Sequence, residues 1–90
     1  MPAYRVEFTK SAKKEFERLP KNIQDQVVEA VQFLSENPFS ELLKIKKLKG
    51  AETLFRIRIG SYRVVYNVQR SVLTVIVIKI GHRKEVYRNL

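Results

Sequence analysis

Twelve consecutive residues, Phe55-Arg56-Ile57-Arg58-Ile59-Gly60-Ser61-Tyr62-Arg63-Val64-Val65-Tyr66, constrain the fold of this chain more than any other stretch. Apolar and basic residues alternate before Gly60-Ser61, the period of a half-buried strand, and a strand-like run comes after it. A glycine leading a two-residue connection suits a tight hairpin turn. With that turn, Ile59 faces Tyr62, Arg58 faces Arg63, Ile57 faces Val64 and Arg56 faces Val65. Phe55, Ile57, Ile59, Tyr62, Val64 and Tyr66 then share one apolar face that the rest of the chain has to cover. Arg56, Arg58 and Arg63 lie together on the other.

The covering elements come first in the chain. Tyr4, Val6 and Phe8 alternate with Arg5, Glu7 and Thr9, which reads as a strand. Ser11 can cap a short helix with Ala12, Phe16 and Leu19 on one face, and Pro20 ends it. Asn22 can cap a longer helix carrying Ile23, Val27, Ala30, Val31 and Leu34 on one side. Asn37-Pro38 stops that helix, because the residue before proline is steered out of the helical region. Residues 38–54 show no clean period and read as a long loop, more often functional than decorative in so small a domain. Strands are predicted at Phe55 to Ile59, Tyr62 to Val68 and Val72 to Ile80. The last is apolar on both faces, as a central strand should be. Gly81 closes it, and Glu85 to Leu90 is left as a short tail or helix.

The predicted class is therefore α+β, with an N-terminal strand, a helical hairpin and a three-stranded antiparallel meander. The helices pack on one face of a single, mostly antiparallel sheet. Ninety residues suit one domain, residues 1–90. With no cysteine and a single histidine, neither a disulfide framework nor a metal-ligand set is expected. The three glycines form no phosphate-cradling motif, no serine triad is recognisable, and no cofactor is predicted. No signal-peptide pattern follows Met1, and no apolar run nears the roughly 18 residues of a membrane span. A cytoplasmic protein without a membrane partner is the expectation.

Charge narrows the partner. Eighteen basic and nine acidic residues give +9. Residues 1–43 hold six Lys/Arg against seven Asp/Glu, whereas residues 44–90 hold twelve against two, Glu52 and Glu85. Charge this concentrated opposes folding through self-repulsion, and a polyanion relieves it. The opposed Arg58 and Arg63 add to this conflict, since like charges directly across a sheet are destabilising. An anion held between them resolves it, and phosphate matches the planar guanidinium with paired donors. Lys44, Lys46, Lys47 and Lys49 in the adjoining loop are candidate substrate-binding cations. If the last two strands form a hairpin, Gly81-His82-Arg83 and Tyr87 emerge beside the arginines. His82 is counted among the substrate-binding candidates and is either an exposed turn histidine or a proton-transfer group. Tyr87 either stacks on a base, as exposed aromatics do with single-stranded RNA, or anchors the tail.

On Tyr4 to Phe8, Ala12 to Pro20, Lys47-Leu48-Lys49-Gly50, Phe55 to Tyr66 and Gly81-His82-Arg83-Lys84-Glu85-Val86-Tyr87, the sequence resembles the RelE/ParE toxin superfamily, nearest its RelE-type mRNA interferases. The resemblance implies a toxin of a type II toxin–antitoxin system that cuts mRNA on the ribosome without metal. The ribose 2′-hydroxyl attacks the adjacent phosphate, leaving a cyclic phosphate and a free 5′-hydroxyl. By position, Arg56, Arg58 and Arg63 bind the scissile phosphate, Arg83 stabilises the transition state or assists the leaving oxygen, and Tyr87 stacks on a nucleotide. A separate antitoxin protein that covers the basic face is implied as a partner, beside ribosome and mRNA. Some members carry lysines where Arg56 and Arg58 stand, with a lysine as base. Arginine is a poor base, so either His82 or Tyr87 takes the proton here, or catalysis is positioning and charge neutralisation. Two other readings are a ParE-like inhibitor of DNA gyrase, which has no need of the full arginine set, and a non-catalytic RNA-binding protein. The latter accounts for the charge but not for opposed arginines beside a tyrosine.

Overall fold

The computed structural model describes residues 3–39, 45–48, 50 and 53–87. Its elements run β1 (Arg5–Phe8), α1 (Lys10–Glu17), α2 (Lys21–Glu36), β2 (Ile45–Lys47), β3 (Leu54–Ile59), β4 (Tyr62–Gln69) and β5 (Thr74–His82). They form one five-stranded sheet in the order β1-β5-β4-β3-β2. Every pairing is antiparallel except β1 with β5. The α+β architecture expected from the alternation and the two prolines is thus the one observed.

The core lies between the helices and one sheet face. Ala12, Val27, Ala30 and Leu34 pack with Ile57, Ile59, Val64, Tyr66, Val68, Val75, Val77 and Ile80. Burying these side chains is the main force holding the domain together, at roughly 25 cal/mol per Å² of apolar surface. Tyr66 is the largest side chain fully inside. Its hydroxyl donates to the Pro38 carbonyl at 2.8 Å, tying the end of α2 to the middle of the sheet. Burial pushes the Tyr66 phenol above its ordinary pKa. Phe55 stacks on Tyr66 and takes Phe39 edge-on, which extends the same anchor.

Several local expectations are corrected. Thr9, not Ser11, caps α1: its hydroxyl accepts from the Ala12 amide at 3.1 Å. The chain leaves β1 in extended backbone at Thr9, so the helix has to begin there. Pro20, not Asn22, precedes α2, and its carbonyl already accepts from Ile23 and Gln24. The stretch 38–54 is not wholly loop, because β2 pairs with β3 as Ile45↔Ile57, Lys46↔Arg56 and Lys47↔Phe55. Three residues are too few to show a period. The last strand starts at Thr74, after a 3₁₀ turn at Arg70–Val72 and a left-handed Leu73 (φ 46°). Val72 and Leu73, expected inside it, are 61% and 52% exposed. Beyond β5, residues 83–87 form turns rather than a helix, and residues 88–90 lie outside the described residues.

Candidate functional site

The hairpin register is the one the sequence dictates: Ile59↔Tyr62, Arg58↔Arg63, Ile57↔Val64 and Arg56↔Val65. Gly60 takes φ +58°, a left-handed conformation that suits glycine, and this allows the tight turn. Apolar alternation commits one face to the helices and leaves Arg56, Arg58 and Arg63 on the open one. There Arg63 donates to the carbonyls of Gly60 and Tyr62, both at 2.9 Å. The carbonyl between them, that of Ser61, accepts the Arg83 amide at 2.8 Å. Three successive turn carbonyls therefore fix the Arg63 guanidinium and the Arg83 backbone relative to one another.

A cleft of about 1040 Å³ opens on this face, walled by Lys46, Lys47, Arg56, Arg63, Arg83, Lys84 and Tyr87, with Leu48 and Gly50. Among the described residues, no carboxylate lines it. Lys46 stands directly across from Arg56 on the neighbouring strand, so it projects from the same face. Burial, then the charges of Arg56 and Arg58, lower the Arg63 pKa below the ordinary guanidinium value; Tyr87 acts in the opposite sense, and Arg83 adds a further lowering push. Arg63 stays protonated at any physiological pH. The guanidinium groups gathered around Arg63 make the cleft electropositive and electrostatically suited to an anion. Among the described residues, no three His, Cys, Asp or Glu gather into a metal-binding group. No helix of the described residues is long and apolar enough to cross a membrane.

The sequence profile of the ParE toxin of type II toxin–antitoxin systems, parDE, matches residues 6–87, nearly the whole chain. The chain belongs to the RelE/ParE toxin superfamily. Toxin RelG of Mycobacterium tuberculosis is 33% identical over 87 residues, covering 94% of this chain and 97% of its own length. The mRNA interferase toxin RelE of Escherichia coli is 32% identical over 89 residues, covering 94% of this chain and 90% of its own. Among solved structures, the archaeal RelE–RelB complex from Pyrococcus horikoshii matches with a TM-score of 0.81 and 30% identity, over 93% of this chain and 99% of that one.

Of the positions the RelE/ParE resemblance singles out, the fold gathers Arg56, Arg63, Arg83 and Tyr87 on one cleft. Arg58 is exposed opposite Arg63, on the same face but outside the cleft wall. Lys46 and Lys47 line the cleft from β2, whereas Lys44 and Lys49 lie outside the described residues. His82 is placed elsewhere. It pairs with Tyr62 rather than Arg63, and strand alternation turns both to the helix side of the sheet, where the His82 ring meets Tyr62 edge-on at 5.9 Å.

Two contributors escape a reading of the sequence. Lys84 joins the cleft wall. Val86 is fully buried and packs beside Gly81. The His82 carbonyl accepts from the amides of Glu85 and Val86, curling the chain back so that Tyr87 faces the cleft. An apolar Val86-Tyr87 pair set among charged residues is the one sequence signal for this anchor.

Proposed function

We propose that this chain is a ribosome-dependent endoribonuclease toxin that cuts mRNA and is held in check by a cognate antitoxin. The observation that carries this reading is the convergence of Arg56, Arg63, Arg83 and Tyr87 on one open cleft that no carboxylate of the described residues lines. Opposed cations oppose folding unless an anion offsets them, and RNA supplies one phosphate per nucleotide. The E. coli relative named an mRNA interferase supports the same activity. The solved RelE–RelB complex supports an antitoxin as partner.

The chemistry derives from the side chains present. A ribose 2′-hydroxyl gives its proton to a base as its oxygen attacks the adjacent phosphorus, the P–O5′ bond breaks, and the departing 5′-oxygen takes up a proton from solvent, leaving a 2′,3′-cyclic phosphate and a 5′-hydroxyl. Arg56 and Arg63 hold the phosphate and neutralise the charge that builds on its non-bridging oxygens, while Arg83 stabilises the departing 5′-oxygen. Tyr87 stacks on a neighbouring base. Pairing with Tyr62 takes His82 away from these groups. Of the two candidate bases this favours Tyr87, with most of the rate acceleration coming from preorganised positive charge.

The test is mRNA cleavage on translating ribosomes without added metal, with wild type beside Arg83→Ala. Site-specific cuts in the decoding site that fall by about 10²–10³ in rate in the mutant are expected. The ParE description of the matching family keeps gyrase inhibition as the second reading. Absence of cuts together with inhibited gyrase supercoiling would establish it instead.

A further inference from the structure

Helix α1 carries a carboxylate where an amphipathic helix should carry an apolar residue. Glu15 is half-buried between Ala12 and Leu19, and its Oε1 accepts the backbone amide of Ile80 at 3.0 Å. The reason lies in the sheet. β1 runs beside β5 only as far as Phe8↔Val77, while β5 continues to His82. Past Val77, the edge of β5 that faces away from β4 has lost its neighbouring strand. It still presents backbone groups that need partners, because a buried amide left unpaired keeps its full desolvation cost.

α1 takes over as the missing strand. The Thr9 amide donates to the Val77 carbonyl at 3.0 Å, and the Thr9 hydroxyl reaches the Ile78 carbonyl at 3.4 Å. Glu15 then accepts from Ile80, two residues on, the next group to point the same way along a strand. The opposite edge of β5 slips register here: Val65 pairs with Lys79 but Tyr66 with Val77, leaving Ile78 without a partner on β4. A bulge bends and twists its strand. The bracing by α1 therefore falls where β5 is least constrained by the ladder.

Beyond Ile80 the chain enters the cleft. Gly81 pairs with Arg63, the Arg83 amide is held by Ser61, and the His82 carbonyl starts the turn that presents Tyr87. We propose that Glu15 is a positioning residue: by holding the Ile80 amide it fixes the end of β5, and thereby aims Arg83 and Tyr87 at Arg56 and Arg63. The inference rests on the reading of the cleft as the RNA-cutting site, although the geometry it invokes can be measured without any activity.

The experiment compares Glu15→Gln, which keeps an acceptor oxygen, with Glu15→Met, which has similar length and none. Glu15→Asp, one methylene too short, guards against a Met variant that fails to fold. Glu17→Ala on the exposed side of the same helix removes the same charge. Two readouts are taken: amide exchange and chemical shifts of Ile80, Arg83 and Tyr87, and kcat and KM for ribosome-dependent cleavage. The Met and Asp variants are expected to speed Ile80 exchange, shift the Arg83 and Tyr87 resonances and lower kcat by about 10- to 100-fold with KM little changed. The Gln variant should rescue both, and Glu17→Ala should match wild type. Faster Ile80 exchange with unmoved Arg83 and Tyr87 resonances overturns the proposal and leaves Glu15 a stability residue only. Equal losses in the Gln and Met variants overturn it too, since charge rather than the hydrogen bond would then matter. Should the wild type cut no mRNA, the proposed function fails by itself, and the resonance shifts still decide the role of Glu15.

Discussion

Replacing Arg58 by glutamine sets the stability of this protein against its activity. Arg58 and Arg63 are direct cross-strand neighbours, which places their Cβ atoms about 5 Å apart. Two unit charges about 6 Å apart repel by about 0.7 kcal/mol in bulk water and by about 3 kcal/mol at an effective dielectric of 20. Arg58 is exposed and Arg63 is not enclosed, so solvent screening favours the lower figure. Removing one charge while keeping a polar side chain should stabilise the free protein by about 0.5–1 kcal/mol at low salt. For a domain of this size that raises Tm by about 2–8 °C. The gain should vanish in 1 M salt, where the Debye length falls to about 3 Å. The same variant should cleave mRNA more slowly, with a smaller loss than Arg83→Ala because Arg58 flanks the cleft rather than walling it. Thermal melts at two ionic strengths, run beside the ribosomal cleavage assay, measure both. Loss of stability in the variant would show that Arg58 supports the fold. A stabilised variant with full activity would show that the opposed arginines do not serve an anion, and would refute the role inferred from their placement.

Other outcomes turn on single contacts. Tyr66→Phe leaves the buried Pro38 carbonyl without its donor and should lower the urea-unfolding free energy by about 1–2 kcal/mol. Because burial raises the Tyr66 pKa in the fold, wild-type stability from this group is intact below about pH 10, where the unfolded phenol begins to ionise. It is lost progressively as pH rises toward the folded value, and alkaline melts of Tyr66→Phe should lack that component. Val86→Ala opens a cavity beside Gly81 and should cost about 1–3 kcal/mol, with faster amide exchange at residues 85–87 and slower cleavage as Tyr87 loosens. Gly60→Ala meets no atom within 4 Å but has to hold φ +58°. A loss of about 1 kcal/mol is expected in denaturant melts, smaller for Gly60→Asn, which tolerates the left-handed region better.

The sequence by itself determined the elements whose causes are local. Period-two alternation on one side of Gly60-Ser61 set the hairpin register, and with it the opposition of Arg58 and Arg63, because shifting that register by one residue would turn the whole apolar set to solvent. Pro20 and Pro38 bounded the helices through backbone sterics that need no tertiary partner. The tertiary structure decided what depends on elements distant in the chain. β2 exists only because β3 offers an edge to pair with, and a three-residue strand has no period of its own. His82 ends near the arginines in sequence and space, yet its pairing with Tyr62 rather than Arg63 puts it on the opposite face, a parity that depends on how β5 meets β4. Val86 is buried because the turn closed on the His82 carbonyl folds it back beside Gly81. Glu15 on the apolar side of its helix has no local reason; the early end of β1 supplies one by leaving the Ile80 amide in need of an acceptor. Steric limits and alternation act over a few residues and can be read along the chain. The demand that every buried backbone group find a partner is met across the whole fold, and only the assembled structure shows which side chain meets it.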